Sequence, residues 1–128
     1  MHLLNALAQA DLLTLAASAS RATNLDGTTI DIGAYEGSCV ITLNSSAATA
    51  GTNPTLDVKL QHCDTEGGTY ADVTGGAFAQ VTSAASHQKL LVNANSLKRW
   101  VKAVGTLGGT NSPAFTYGAG LVGLKKSK

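Results

Sequence analysis

The chain is expected to fold as an all-β protein: an antiparallel, jelly-roll-like β-sandwich preceded by an N-terminal arm. Three observations point there. Of the 128 residues, 59 are Ala, Thr, Gly or Ser, and only two are Pro. From residue 38 onwards apolar residues recur with a period of two, the spacing that puts one face of a strand inward. Glycine- and Asn-containing clusters break these runs at short intervals, and no helical pattern of ten or more residues follows the arm. Short amphipathic strands joined by tight turns bury their apolar faces as two packed sheets or as a barrel.

Along the chain, residues 1–20 form the expected arm and residues 21–128 a single β-domain. In the arm, Leu3, Leu4 and Leu7 follow helical spacing, whereas Leu13 and Leu15 flank Thr14 with strand spacing. The period therefore changes near residue 10, predicting a helical turn followed by a strand. Asp26-Gly27 marks a turn, and Thr29-Ile30-Asp31-Ile32 alternates. Cys39, Ile41 and Leu43 alternate with Val40, Thr42 and Asn44, and residues 45–54 read as a small polar loop. Leu56, Val58 and Leu60 alternate with Asp57, Lys59 and Gln61, the pattern of a half-buried strand. DTEGGT (64–69) is a turn; strands are expected at 77–83, 88–94, 97–104 and 114–124, with a loop at 105–113.

One domain is what this length supports. No apolar run approaches the ~20 residues of a helical membrane span, so a membrane protein is not expected. The Leu/Ala-rich start superficially resembles a secretion signal with Ala17-Ser18-Ala19 as a cleavage site, but it has no basic leader and Asp11 interrupts it. It reads as a working part of a protein made in a reducing cytosol. Cys39 and Cys63 stand apart from any C-x-x-C or Cys/His cluster and are expected as reduced, partly buried thiols.

Net charge is +1, yet it is unevenly spread. Residues 1–72 hold eight acidic and two basic residues, a net −6; residues 73–128 hold seven basic residues and no acid, a net +7. Either the fold intermixes the two halves, or acidic and basic faces are left to meet partners.

Catalysis finds little support. His62 continues the inward series Leu56, Val58, Leu60 and reads as a packed strand-end residue; no G-x-S-x-G elbow or phosphate-binding loop is present. The carboxylates Asp64, Glu66 and Asp72 crowd one hairpin, where Asp64 and Asp72 are expected to cap turn N–H groups rather than hold Ca²⁺. No enzyme activity, metal or cofactor is expected. Lys98, Arg99, Trp100 and Lys102 raise nucleic-acid stacking as a rival reading. Alternation places Lys98, Trp100 and Lys102 on one face, and a Trp covered by two lysine stems reads better as a packed or interface residue. Nucleic acid is not an expected partner.

The runs QADLLTLAASASRATNLDGTTIDIG (9–33), LDVKLQHCDTEGGTYADVTGGAFAQVT (56–82) and LKRWVKAVGTLGGTNSPAFTYGAGLVGL (97–124) resemble the cement, or decoration, proteins of tailed-bacteriophage heads. The likeness covers about 80 residues and is nearest to the small jelly-roll cement proteins of short-tailed phages, LQHCDTEGGTYADV being its most distinctive piece. The Met-His-Leu-Leu start and the lysine-rich end depart from that pattern. The resemblance implies a protein on the outer capsid surface of the virion that bridges neighbouring major capsid proteins and self-associates as a dimer or trimer, without catalysis. The expected contact residues are Leu3, Leu4, Leu7, Leu12 and Leu13 of the arm, Lys98, Trp100 and Lys102, and Lys125, Lys126 and Lys128 of the tail. A tail or neck component, or a glycan-binding sandwich on a host surface, is the alternative. Stoichiometry against the major capsid protein separates cement from ring-forming tail parts, and a groove with exposed aromatics would mark a glycan binder.

Overall fold

A computed structural model describes residues 10–125. It contains eight strands, β1 (Ala10–Arg21), β2 (Leu25–Asp26), β3 (Ile30–Asp31), β4 (Tyr35–Ser45), β5 (Ala50–Cys63), β6 (Ala71–Ala77), β7 (Ser86–Asn93) and β8 (Trp100–Lys125). A single 3₁₀ turn, Ala94–Ser96, separates β7 from β8, with the Asn93 side chain accepting from the Asn95 N–H. Every strand pairing is antiparallel.

All eight strands belong to one sheet system that folds over along β8 into a nearly closed sandwich. The C-terminal half of β8 lies between β1 and β4, with β7 beyond β4. Its N-terminal half lies between β5 and the short β2 and β3, with β6 beyond β5. The two layers share one core: Leu15, Ile41, Leu43, Phe115, Tyr117 and Leu121 from the first meet Leu56, Val58, Leu60 and Val101 from the second. On the far side, Gln88 of β7 donates to the Ala79 carbonyl at 2.9 Å and accepts from the Ala79 N–H at 2.8 Å, closing the gap beside β6.

The period-two readings of 38–44 and 56–61 match the burial. Cys39, Ile41 and Leu43, then Leu56, Val58 and Leu60, are buried, and their neighbours are not. Elsewhere the boundaries move. The expected loop 45–54 is half strand, since β5 begins at Ala50. The strand expected at 77–83 lies earlier, at Ala71–Ala77; the following segment is held by Phe78 N–H to Val58 O and by the Leu56–Val81 bridge.

The largest difference is at 97–124. The two expected strands and the loop between them are one 26-residue strand, bent rather than broken. Gly109, Asn111 and Ser112 take positive φ at the bend, and β5 bends opposite it at Gly51 and Asn53. Both bends are tightly packed: a Cβ on Gly51 would sit 2.6 Å from Pro113 Cα, and one on Gly109 would sit 2.8 Å from the Asn53 carbonyl oxygen. Glycine supplies the positive φ at no steric cost, and Asn tolerates it. The residues that look like loop in sequence are the hinge by which one strand serves both layers.

One buried polar atom has no hydrogen-bond partner among the described residues: the Tyr117 hydroxyl. Leaving such a group unsatisfied costs ~1–3 kcal/mol. Tyr117→Phe is therefore expected to raise stability by about 1 kcal/mol, read as a higher midpoint in urea. A lower midpoint would show that the hydroxyl has a partner.

Candidate interaction surface

The outward face of the β1-β8-β4-β7 layer carries an apolar row that the sequence alone does not display. Leu12 pairs with Val122, Val122 with Val40, and Val40 with Leu91, so four side chains from four strands stand side by side on one face. Leu12 and Leu91, at the two ends, are 83% and 73% exposed, the two large hydrophobics most open to solvent among the described residues. Val40 and Val122 are half-buried between them, and Ala10 and Leu124 pair one pleat further on. The adjoining row, Thr14, Gly120, Thr42 and Lys89, is polar or bare. Cross-strand neighbours on one face lie ~5 Å apart, so the four form a continuous strip.

Among the arm leucines, Leu12 is thus free at the surface, whereas Leu13 is half-buried against the core. Residues 10–20 are not a spare segment. They form β1, and Leu15 and Ala16 enter the core. Two register shifts interrupt β1, and Arg21 pins that irregular stretch by donating to the carbonyls of Ala17 and Tyr117 while its guanidinium lies 4.7 Å from the Tyr117 ring centroid. Leu3, Leu4 and Leu7, like Lys126 and Lys128, lie outside the described residues.

The basic cluster is not a free patch. Lys102 keeps only 16% of its side chain exposed, bonding Asp26 at 2.8 Å with its ammonium 4.5 Å from the Tyr70 ring centroid. Trp100 is half-buried, and the Arg99 guanidinium lies 5.6 Å from its ring centroid. Lys98 is exposed and Lys125 lies 3.5 Å from Asp11.

Charge intermixing follows from the topology. Because β8 runs through the middle of both layers, its basic residues, and Arg99 just before it, meet the acidic first half: Asp31–Arg99, Asp26–Lys102 and Asp11–Lys125. A fourth pair, Lys59–Asp72, lies within the first half. Asp72 accepts from Gln61 and Lys59 side chains across to β5, instead of capping its own turn as the spacing implied. The partner bonds hold two carboxyls below the usual range: Asp31 through Arg99 and then the Gly33 N–H, Asp72 through Gln61 and then Lys59. A lowered folded value means the stabilisation is present above the unfolded carboxylate pKa and is lost as pH falls through the folded one. Arg99→Gln is expected to lower stability slightly at neutral pH and to leave it unchanged once Asp31 is protonated, so that the acid limb between ~pH 5 and ~1 becomes flatter. An unaltered acid limb in thermal melts would remove Asp31 from that account.

His62 is structural in its contacts. Its Nδ1 accepts from the Lys98 N–H at 3.1 Å, and burial, then the Lys98 charge, pushes its pKa down. It borders a cleft of about 360 Å³ with Asp72, Thr74, Leu91, Asn93 and Ser96, which no aromatic side chain lines. Cys39 is buried in β4 and Cys63 half-buried at the end of β5, both as free thiols. Among the described residues no helix is long and apolar enough to cross a membrane, and no three His, Cys, Asp or Glu residues converge as metal ligands.

No family model and no curated protein sequence matches the chain. Solved structures do. The chain is similar to a structure of infectious bursal disease virus, Gt strain, with a TM-score of 0.59 and 12% identity over 91% of this chain. A second likeness, to the VP2 subviral particle of the same virus, has a TM-score of 0.53 and 11% identity over 88%. The chain spans about a third of the length of those proteins, 33% and 32%. At such identity the likeness is one of fold: this antiparallel sandwich is also found within proteins that form virus particles.

Proposed function

We propose that the protein is a structural component of a virion, bound to the outer surface of a phage head, where it bridges major capsid proteins and stabilises the shell. The observation that carries this reading is the solvent-facing row Leu12–Val122–Val40–Leu91. Exposed apolar strips rimmed by polar residues mark protein contacts, and the sandwich beneath this one is shared with particle-forming viral proteins. No reaction forms part of this function; its work is contact. Packaged DNA pushes outward, and a subunit that grips two shell proteins resists their separation. Self-association as a dimer or trimer would raise the effective affinity by ~10²–10⁴ through multivalency. The arm leucines would add apolar contact, and Lys125, Lys126 and Lys128 would meet acidic groups of the shell.

Binding to undecorated heads tests the reading. Saturation at a number tied to the capsid lattice is expected, and deletion of residues 1–10 should weaken it. Replacing the three tail lysines by Ser should reduce the salt dependence of binding. Failure to bind heads, or incorporation only as a fixed-order ring, would overturn the capsid reading in favour of a tail or neck role.

A further inference from the structure

We infer that two copies of the chain pair edge to edge through β7, antiparallel about a two-fold axis at Leu91, so that their apolar rows join into one strip. The inference names a partner for the row described above and rests on that row being a contact surface. Size is the first reason. One row crosses three strand spacings of ~4.8 Å, about 14 Å in all. Its area is a few hundred Å² at most, below the ~800 Å² per partner of a stable contact. A row that ends on a strand with an open edge is lengthened by a second copy of itself.

The row ends at Leu91, and the strand that carries it is the longest unshifted edge among the described residues. There β7 pairs only with β4, over eight residues and without a register shift. The other edges are irregular or short. Two register shifts interrupt β1, β6 has one and a positive φ at Gly75, and β2 and β3 are two residues each. Bulges and short strands blunt an edge, whereas a straight one offers its unpaired N–H and C=O groups to another chain. The open part of β7 is its end. Gln88 clamps Ala79 near the start, while the cleft of about 360 Å³ lies against Leu91, Val92 and Asn93. An antiparallel strand pair about a two-fold axis is self-complementary, so a second copy matches this edge residue for residue.

Register follows from the outward side chains. Lys89, Leu91 and Asn93 are exposed on the face that carries the row. With the axis at Leu91, the two leucines stand side by side and each Lys89 faces Asn93 of the other copy. An axis at Lys89 would set two ammonium groups opposite each other, which destabilises a cross-strand pair. An axis at Leu90 would put Lys89 against Leu91 and offset the rows by one pleat. In the register about Leu91, eight aliphatic side chains lie in line across seven spacings, about 34 Å. The dimer thus presents a shell with twice the apolar strip of a single copy. Because few residues pair, it is weak in solution and forms as concentration rises.

Sedimentation velocity on the full chain without any shell tests the pairing, so its failure is separable from failure of the capsid reading. The parent is expected to pass from monomer to dimer between ~10 μM and ~1 mM, the range of small contacts. Leu91→Lys should hold it monomeric, because two charges then stand opposite each other at the axis. Leu12→Lys, at the far end of the row, should dimerise as the parent does. Both leucines are largely exposed, so neither variant disturbs the core. Asn93→Asp should tighten the dimer several-fold at low salt by setting a carboxylate opposite each Lys89, and N93D/K89S should lose that gain. Asp preserves the cap that the Asn93 side chain makes on the Asn95 N–H. A parent still monomeric at ~1 mM would overturn the inference. So would equal loss of the dimer in Leu12→Lys and Leu91→Lys, since the rows would then meet face to face. An Asn93→Asp dimer no tighter than the parent's would overturn the register about Leu91, and the joined strip with it.

Discussion

Replacing both Leu12 and Leu91 by Ser is expected to weaken binding to undecorated heads by at least ~10²-fold while leaving the fold intact. Each leucine that is fully buried in a contact contributes ~1.5–3 kcal/mol, and 1.4 kcal/mol is a factor of ten in affinity. Neither side chain supports the core, because 83% and 73% of their surfaces already face solvent. Surface changes of this kind shift stability by only ~0.5 kcal/mol. Binding isotherms on heads, alongside thermal melts, separate the two effects. Parent-like affinity in the double variant would remove the row from the contact, whatever role the rest of the chain retained.

Phe115→Ala is expected to have the opposite profile. Phe115 is fully buried in β8 just past the bend, in the core where the two layers meet. Truncating a buried Phe costs ~3–5 kcal/mol through lost transfer energy and the cavity left behind. A domain of this size has about a dozen kcal/mol in total, ~0.05–0.15 kcal/mol per residue. Urea denaturation should therefore show a large drop in midpoint, and head binding should fall only as the folded fraction falls. A loss below ~1 kcal/mol would mean the layers do not close on this ring.

These outcomes fall on opposite sides of one distinction. Inward positions were readable along the chain because strand geometry alternates side chains between faces. Ile41, Leu43, Leu56, Val58 and Leu60 could be placed inward from their spacing alone. The outward row could not. Leu12, Val40, Leu91 and Val122 are far apart in sequence, and each looks like an ordinary member of its own strand. Leu91 sits in an unbroken Leu90-Leu91-Val92 run, where period gives no hint which residue faces out. The ion-pair partners of the basic residues were hidden in the same way. Lys102 was expected beside Trp100 as a contact residue, and the pairing of β2 with β8 sets Asp26 against it.

By itself the amino-acid sequence determined an all-β chain, its inward faces and the turn at 64–69, since these depend on local steric preference and nearest-neighbour alternation. Tertiary structure alone decided that β8 is a single bent strand shared by both layers, that the two oppositely charged halves neutralise each other, and that four distant aliphatic residues share one outer face. Register is the physical reason: it is set by hydrogen bonding between segments remote along the chain, and no local pattern encodes which residue will lie beside which.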